Sequence, residues 1–153
     1  MKTFLIIVIF ITIFTSCSTN NAFSHFDIDE KQAKSEDSLK SSKIFNGNIN
    51  EGIVNIIYLN QVLPEQYNDK EYFYVYLYTK KHTEKINYFL NNESSVDVTV
   101  LKSHNEFSEL TSFSGDWQRY YLVVFNNIEK DVITFEVKTS QGSSRKITFQ
   151  KEN

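Results

Sequence analysis

The sequence predicts an all-β fold, an antiparallel β-sandwich of seven or eight strands. Three observations point that way. Beyond Lys43 the apolar and aromatic residues come in short runs separated by polar clusters. Two of those runs alternate strictly between apolar and polar positions, and no segment of the domain carries an apolar stripe of helical period and length. Seven or eight such runs in about 110 residues, with no helices between them, leave a sandwich or a barrel.

The elements follow in order. A weak strand over residues 43–50 is predicted first, then strands over 52–59, 72–79, 86–90, 96–101, 119–125, 132–138 and 146–149. In "VDVTV" Val96, Val98 and Val100 share one face, opposite Asp97 and Thr99. In "VITFEVKT" Ile133, Phe135 and Val137 oppose Thr134, Glu136 and Lys138. The clusters "NNESS", "NNIEKD" and "SQGSS" read as turns. A longer loop spans residues 60–71, where Pro64 disfavours a continuous strand. The last two strands flank Gly142, which takes positive φ at low cost, and so form a closing hairpin.

The first residues are of a different kind. Lys2 precedes an apolar run from Phe4 to Phe14, about 11 residues long and broken only by Thr12. That is too short for the roughly 20 residues of a membrane-spanning helix, and its flanks match an export signal. Thr15 and Ser16 then lead to Cys17, the one cysteine of the chain. The stretch "FTSC" resembles the processing site of bacterial lipoproteins, with Phe14 where leucine is common. The resemblance implies residues 1–16 as a signal peptide cut before Cys17. It further implies a thioether-linked diacylglycerol and an N-acyl chain such as palmitate on that cysteine. Ser18 stands where aspartate in many such proteins signals inner-membrane retention. The expected place is therefore the outer membrane, lipid-anchored and facing the periplasm or the cell surface. A free thiol is a liability in an oxidising compartment, and lipidation removes it.

Loss of 16 residues from 153 leaves 137, the size of one domain. Lys2 leaves with them, so the formal charge moves from −3 to −4. This balance offers no basic field for nucleic acid and no polybasic patch for anionic lipid, so membrane association is expected from the lipid anchor. From Cys17 to Ser42 the chain is polar and reads as a flexible tether. Within it residues 29–41 could form a helical turn or two, with Glu30 and Lys34 four apart. The domain proper then covers residues 43–153.

The closing hairpin resembles those that end immunoglobulin-like domains of bacterial surface and periplasmic proteins. With the signal, the chain is similar to a small lipoprotein of Campylobacter-like type carrying a variant immunoglobulin-like domain. Some lipoproteins of this kind act in adhesion. An intersheet disulfide is absent, and Trp117 comes near the sixth strand rather than the third. A lipocalin-like barrel is the competing architecture, without its glycine and tryptophan signature near the first strand.

Chemistry is sparse. His25, His82 and His104 have no second histidine or cysteine at metal-ligand spacing. "DIDE" at residues 27–30 lacks the glycine and further oxygens of a calcium loop. No serine sits at a strand-to-helix elbow, and no glycine-rich phosphate loop is present. The expectation is a non-catalytic protein without cofactor or metal beyond the covalent lipid.

Recognition by surface remains. The aromatics number 23, with thirteen Phe, nine Tyr and one Trp. "EYFYVYLYTK" places Tyr72, Tyr74, Tyr76 and Tyr78 on one side of a strand and Phe73, Val75 and Leu77 on the other. The Phe73 side is the expected core. The tyrosine side is either covered within the chain, an interface such as a homodimer, or an open amphipathic sheet. In "SFSGDWQRYY" a turn at Gly115 and Asp116 presents Trp117 beside Arg119 and Tyr120. Trp117 is either an interface anchor or a core plug. Tyr72, Tyr74, Tyr76, Tyr78, Trp117, Arg119 and Tyr120 are the candidate binding surface, for an envelope or host protein or a glycan. The alternative function is a small apolar-ligand carrier, which needs an enclosed cavity between the layers.

Overall fold

Strands with period-two alternation satisfy their backbone groups only by pairing edge to edge. In the computed structural model, which describes residues 30–81, 85–111 and 115–151, every strand pair is antiparallel. A helix α1 (Glu30–Ser38) precedes strands β1 (Lys40–Asn46) and β2 (Ile49–Tyr58). A helical turn α2 (Leu59–Val62) leads to β3 (Glu71–Thr79), β4 (Ile86–Leu90), β5 (Glu93–Ser94) and β6 (Asp97–Leu101). After a 3₁₀ turn (Ser108–Leu110) come β7 (Arg119–Phe125), β8 (Val132–Thr139), β9 (Gly142–Ser144) and β10 (Ile147–Gln150).

The strands form one curled sheet in the order β5-β4-β8-β9-β1-β2-β3-β7-β6, with β10 also paired to β8. Curling brings β3 and β7 face to face with β8, β4 and β10, which gives the sandwich expected from the sequence. The core between the layers centres on Phe73. Its ring lies 4.9 Å from Tyr58, 4.8 Å from Phe135, 5.5 Å from Phe149 and 5.8 Å from Phe125, centroid to centroid. Val75, Leu77, Val123, Ile133 and Val137 complete this layer, all buried. The space between the layers is thus filled by rings and branched side chains at contact distance.

The expected alternation explains β8, where Ile133, Phe135 and Val137 are buried. In β6 the same pattern has a different outcome. Val98 and Val100 sit opposite the buried Val123 and Tyr121 of β7, yet both are exposed. β6 is the outermost strand on its side and overhangs the opposing layer.

The closing hairpin contains a one-residue slip. Lys138 pairs with Ser143, whereas Phe135 pairs with Ile147. At the slip the Ser144 hydroxyl accepts the Val137 N–H at 2.9 Å, replacing a ladder bond. Gly142 has φ +147°, and a Cβ there would meet the Phe45 carbonyl oxygen at 2.1 Å. No other residue fits that approach.

The helix foreseen within residues 29–41 forms as α1 and is tied down by polar bonds. Ser35 donates to the Leu110 carbonyl at 2.5 Å, and Ser38 accepts the Tyr58 N–H at 3.2 Å. α2 was not foreseen; it ends at Val62, two residues short of Pro64. Together α1, α2 and the 3₁₀ turn cover the outer face of β3.

A candidate binding surface

The tyrosine ladder divides along β3. Tyr74 and Tyr76 are fully buried in a second apolar cluster with Ile57, Leu59, Val62, Phe107, Leu110 and Tyr120. Phe107 lies 5.1 Å from the Tyr74 ring. Asn105 Nδ2 donates to Tyr74 Oη at 3.3 Å, and Tyr76 Oη shares a hydrogen bond with Thr111 at 3.4 Å. Burial pushes the Tyr74 phenol up to about 12, with the Asn105 bond opposing it. Burial likewise raises Tyr76. Tyr72 is half-buried, donates to Asp69 Oδ1 at 2.8 Å and packs 4.9 Å from Tyr67. Its bond to Asp69, then burial, raises its pKa.

Tyr78, the last rung, is 39% exposed. Its ring meets Trp117 at 5.7 Å with the planes 74° apart. Of the three readings of the ladder, cover within the chain holds for Tyr74, Tyr76 and in part Tyr72, and the candidate four-tyrosine surface is corrected to one exposed rung, Tyr78. The connections after β2 and after β6 carry their own apolar residues and lie over the other three.

Trp117 is 63% exposed, so it is not a core plug. Its loop is nevertheless firmly held. Gly115 lies against the indole, and a Cβ there would stand 2.4 Å from Nε1. Tyr120, expected on the surface, is 1% exposed and holds this loop from below. Its hydroxyl accepts the Gly115 N–H at 2.7 Å and lies 3.0 Å from the Gly115 carbonyl and 2.9 Å from Gln118 Oε1. One proton serves one of those two acceptors at a time. Arg119 is half-buried and donates through Nη2 to Thr79 Oγ1 at 2.8 Å, which ties β7 to the end of β3.

The structure thus brings together Tyr78, Trp117 and Arg119, and places Tyr74, Tyr76 and Tyr120 beneath the surface. Tyr120→Phe should leave the Gly115 N–H unpaired and lower stability by about 1–3 kcal/mol. Trp117 emission anisotropy should fall as its loop loosens. An unchanged anisotropy would show that packing, not the hydroxyl, holds the loop.

A polar cluster at the opposite end went unnoticed in the sequence. Glu71 is buried and accepts from Tyr58 Oη at 2.5 Å and from the Ile128 N–H at 3.0 Å. It also pairs with Lys151, which donates to the Ile128 carbonyl at 2.5 Å. An open depression of about 460 Å³ adjoins them, lined also by Asn60, Pro64, Tyr67 and Asn127. Both carboxylate oxygens already receive donors of the chain itself, so the cluster reads as a latch rather than a receptor. The signal that could have found it is parity, since Glu71 shares a strand face with Phe73. His104 is exposed in the turn before the 3₁₀ segment, whereas Cys17, His25 and His82 lie outside the described residues. Compared with protein-family models, curated proteins and solved structures, the chain matches none.

Proposed function

We propose that this is a lipid-anchored envelope protein of the bacterial outer membrane with a non-catalytic binding or structural role, adhesion among the candidates. The observation that carries the anchor is the position of Cys17. The one cysteine of the chain directly follows an apolar run of signal length and two small residues. Diacylglycerol on its sulfur and an acyl chain on its nitrogen give durable attachment, since each buried CH₂ contributes about 0.8 kcal/mol.

Trp117 supports a binding role. A large exposed ring on a loop fastened through Gly115 and Tyr120 loses little freedom on contact with a partner. The partner is an envelope protein, a host protein or a glycan. The carrier alternative has less support, because rings at contact distance occupy the space between the layers.

Cys17→Ser should move the protein from the membrane fraction to the soluble fraction and leave its circular dichroism unchanged. Mass spectrometry of the wild-type N-terminal peptide should show a triacylated Cys17. An unmodified Cys17 would overturn the reading.

A further inference from the structure

We infer that the Trp117 end of the sandwich is a contact surface for an anionic phospholipid bilayer, and that it lies against the membrane to which the chain is tethered. The inference rests on the lipid anchor at Cys17 for its setting and on three observations for its content.

The first is the distribution of exposed apolar side chains. The C-terminal end of β3, the β1–β2 hairpin and the loop before β7 all lie at one end of the sandwich. Ile49, Ile53, Tyr78 and Trp117 are all exposed there. Ile53 pairs directly with Tyr78 across β2 and β3. A tryptophan and a tyrosine with aliphatic neighbours at a sheet end and its adjoining loop suit the headgroup boundary, where amphipathic rings settle. Isoleucines contribute nothing to sugar stacking.

The second is charge. The stretch "KKHTEK", residues 80–85, follows β3 with three lysines and one glutamate. Lys80, Lys81 and Lys85 are exposed, and Arg119 is half-buried beside them in β7. The acids described at this end are Asp116, which is exposed, and Glu51, which is half-buried. The opposite end has the reverse balance. Its loops carry Glu65, Asp69, Glu129 and Asp131 against Lys70 and Lys130, while Glu71 and Lys151 pair with each other and the exposed Lys40 and Asp97 offset one another. An anionic surface would therefore orient the domain with the Trp117 end inward, because the fold gathers at one end a basic cluster that the negative overall balance and the expected lack of a polybasic patch conceal.

The third is reach. Twelve residues, 18–29, separate Cys17 from α1 and span up to about 40 Å when extended. The nine residues of β3 run about 30 Å from end to end. Either end of the domain can meet the bilayer, so the choice falls to charge and apolar contact. The tether keeps the local concentration of membrane surface high, and a weak contact suffices.

Trp117 is the one tryptophan of the chain and reports on its own surroundings. The purified full chain would be reconstituted in vesicles of phosphatidylcholine, with or without phosphatidylglycerol. Lipids brominated high on the acyl chain would serve as quenchers. With phosphatidylglycerol, Trp117 emission should shift to the blue, and brominated lipid should quench it several-fold more than in phosphatidylcholine alone. Lys80→Glu combined with Lys81→Glu should abolish that difference without changing circular dichroism. Water-like, unquenched emission in both compositions would overturn the inference. So would a blue shift that depends on protein density or on added glycan but not on brominated lipid. Vesicle flotation and the mass of the Cys17 peptide report the anchor separately. Quenching without acylation would leave the contact standing and remove the anchor, whereas acylation without quenching would do the reverse.

Discussion

Glu71→Ala is expected to lower the unfolding free energy by about 3–5 kcal/mol, the usual cost of removing one partner from a buried, hydrogen-bonded ion pair. The change leaves the Tyr58 hydroxyl and the Ile128 N–H without their acceptor and the Lys151 ammonium without its counter-charge. Lys151 joins the segment after β10 to the loop before β8, so its release should loosen both. Urea unfolding at neutral pH measures the effect. The double variant Glu71→Leu with Lys151→Met should lose less than the sum of the two single changes, because no charge is left unpaired. A single-variant loss below about 1 kcal/mol, in the range of exposed pairs, would show that the latch contributes little.

Alkali is expected to unfold the protein cooperatively above about pH 10, and the cause is the number of buried phenols. Burial raises the pKa values of Tyr58, Tyr74, Tyr76, Tyr88 and Tyr121, with Glu71 adding to the rise at Tyr58. A raised folded pKa means that the folded state keeps its proton where the unfolded state, near 10, has lost it. The stabilisation from each phenol is complete below about pH 10 and is lost as pH rises through its folded value, about 12 for Tyr74. The slope is at most about 1.4 kcal/mol per pH unit for each phenol, and less where a hydroxyl reaches solvent. Several acting together exhaust a typical domain stability of about 5–15 kcal/mol within one or two pH units. Tyrosinate absorbance and circular dichroism should therefore change together. Separate transitions, with phenols ionising in an intact fold, would refute the coupling. Tyr88 sharpens the test. Its buried hydroxyl makes no hydrogen bond among the described residues, so Tyr88→Phe should keep or raise stability and move the alkaline midpoint upward.

Much of the architecture was legible in the residues alone. Alternation in "VITFEVKT" and the double-sided run "YFYVYLYT" identified their strands because side-chain period is a local property of the chain. The β4 span of residues 86–90 and the β7 span of residues 119–125 are those predicted from the sequence. Gly142 marked its turn because only a residue without Cβ meets the Phe45 carbonyl at that distance. Glu71 was missed by one position. A strand begun at Tyr72 leaves the carboxylate in a loop, whereas one begun at Glu71 aims it at the core.

What the sequence by itself determined is thus the class of fold, the core faces of β3 and β8 and the lone cysteine behind its apolar run. What only the tertiary structure decided is which tyrosines meet solvent. Tyr74 and Tyr78 have the same parity on one strand, and nothing local tells them apart. Their fates differ because Phe107 and Leu110, more than thirty residues away in the chain, fold over the first and stop short of the second. The exposure of Val98 and Val100 has the same origin, since alternation fixes a face but not whether another layer lies opposite it. Burial is a property of packing between distant segments, and a surface is whatever that packing leaves uncovered.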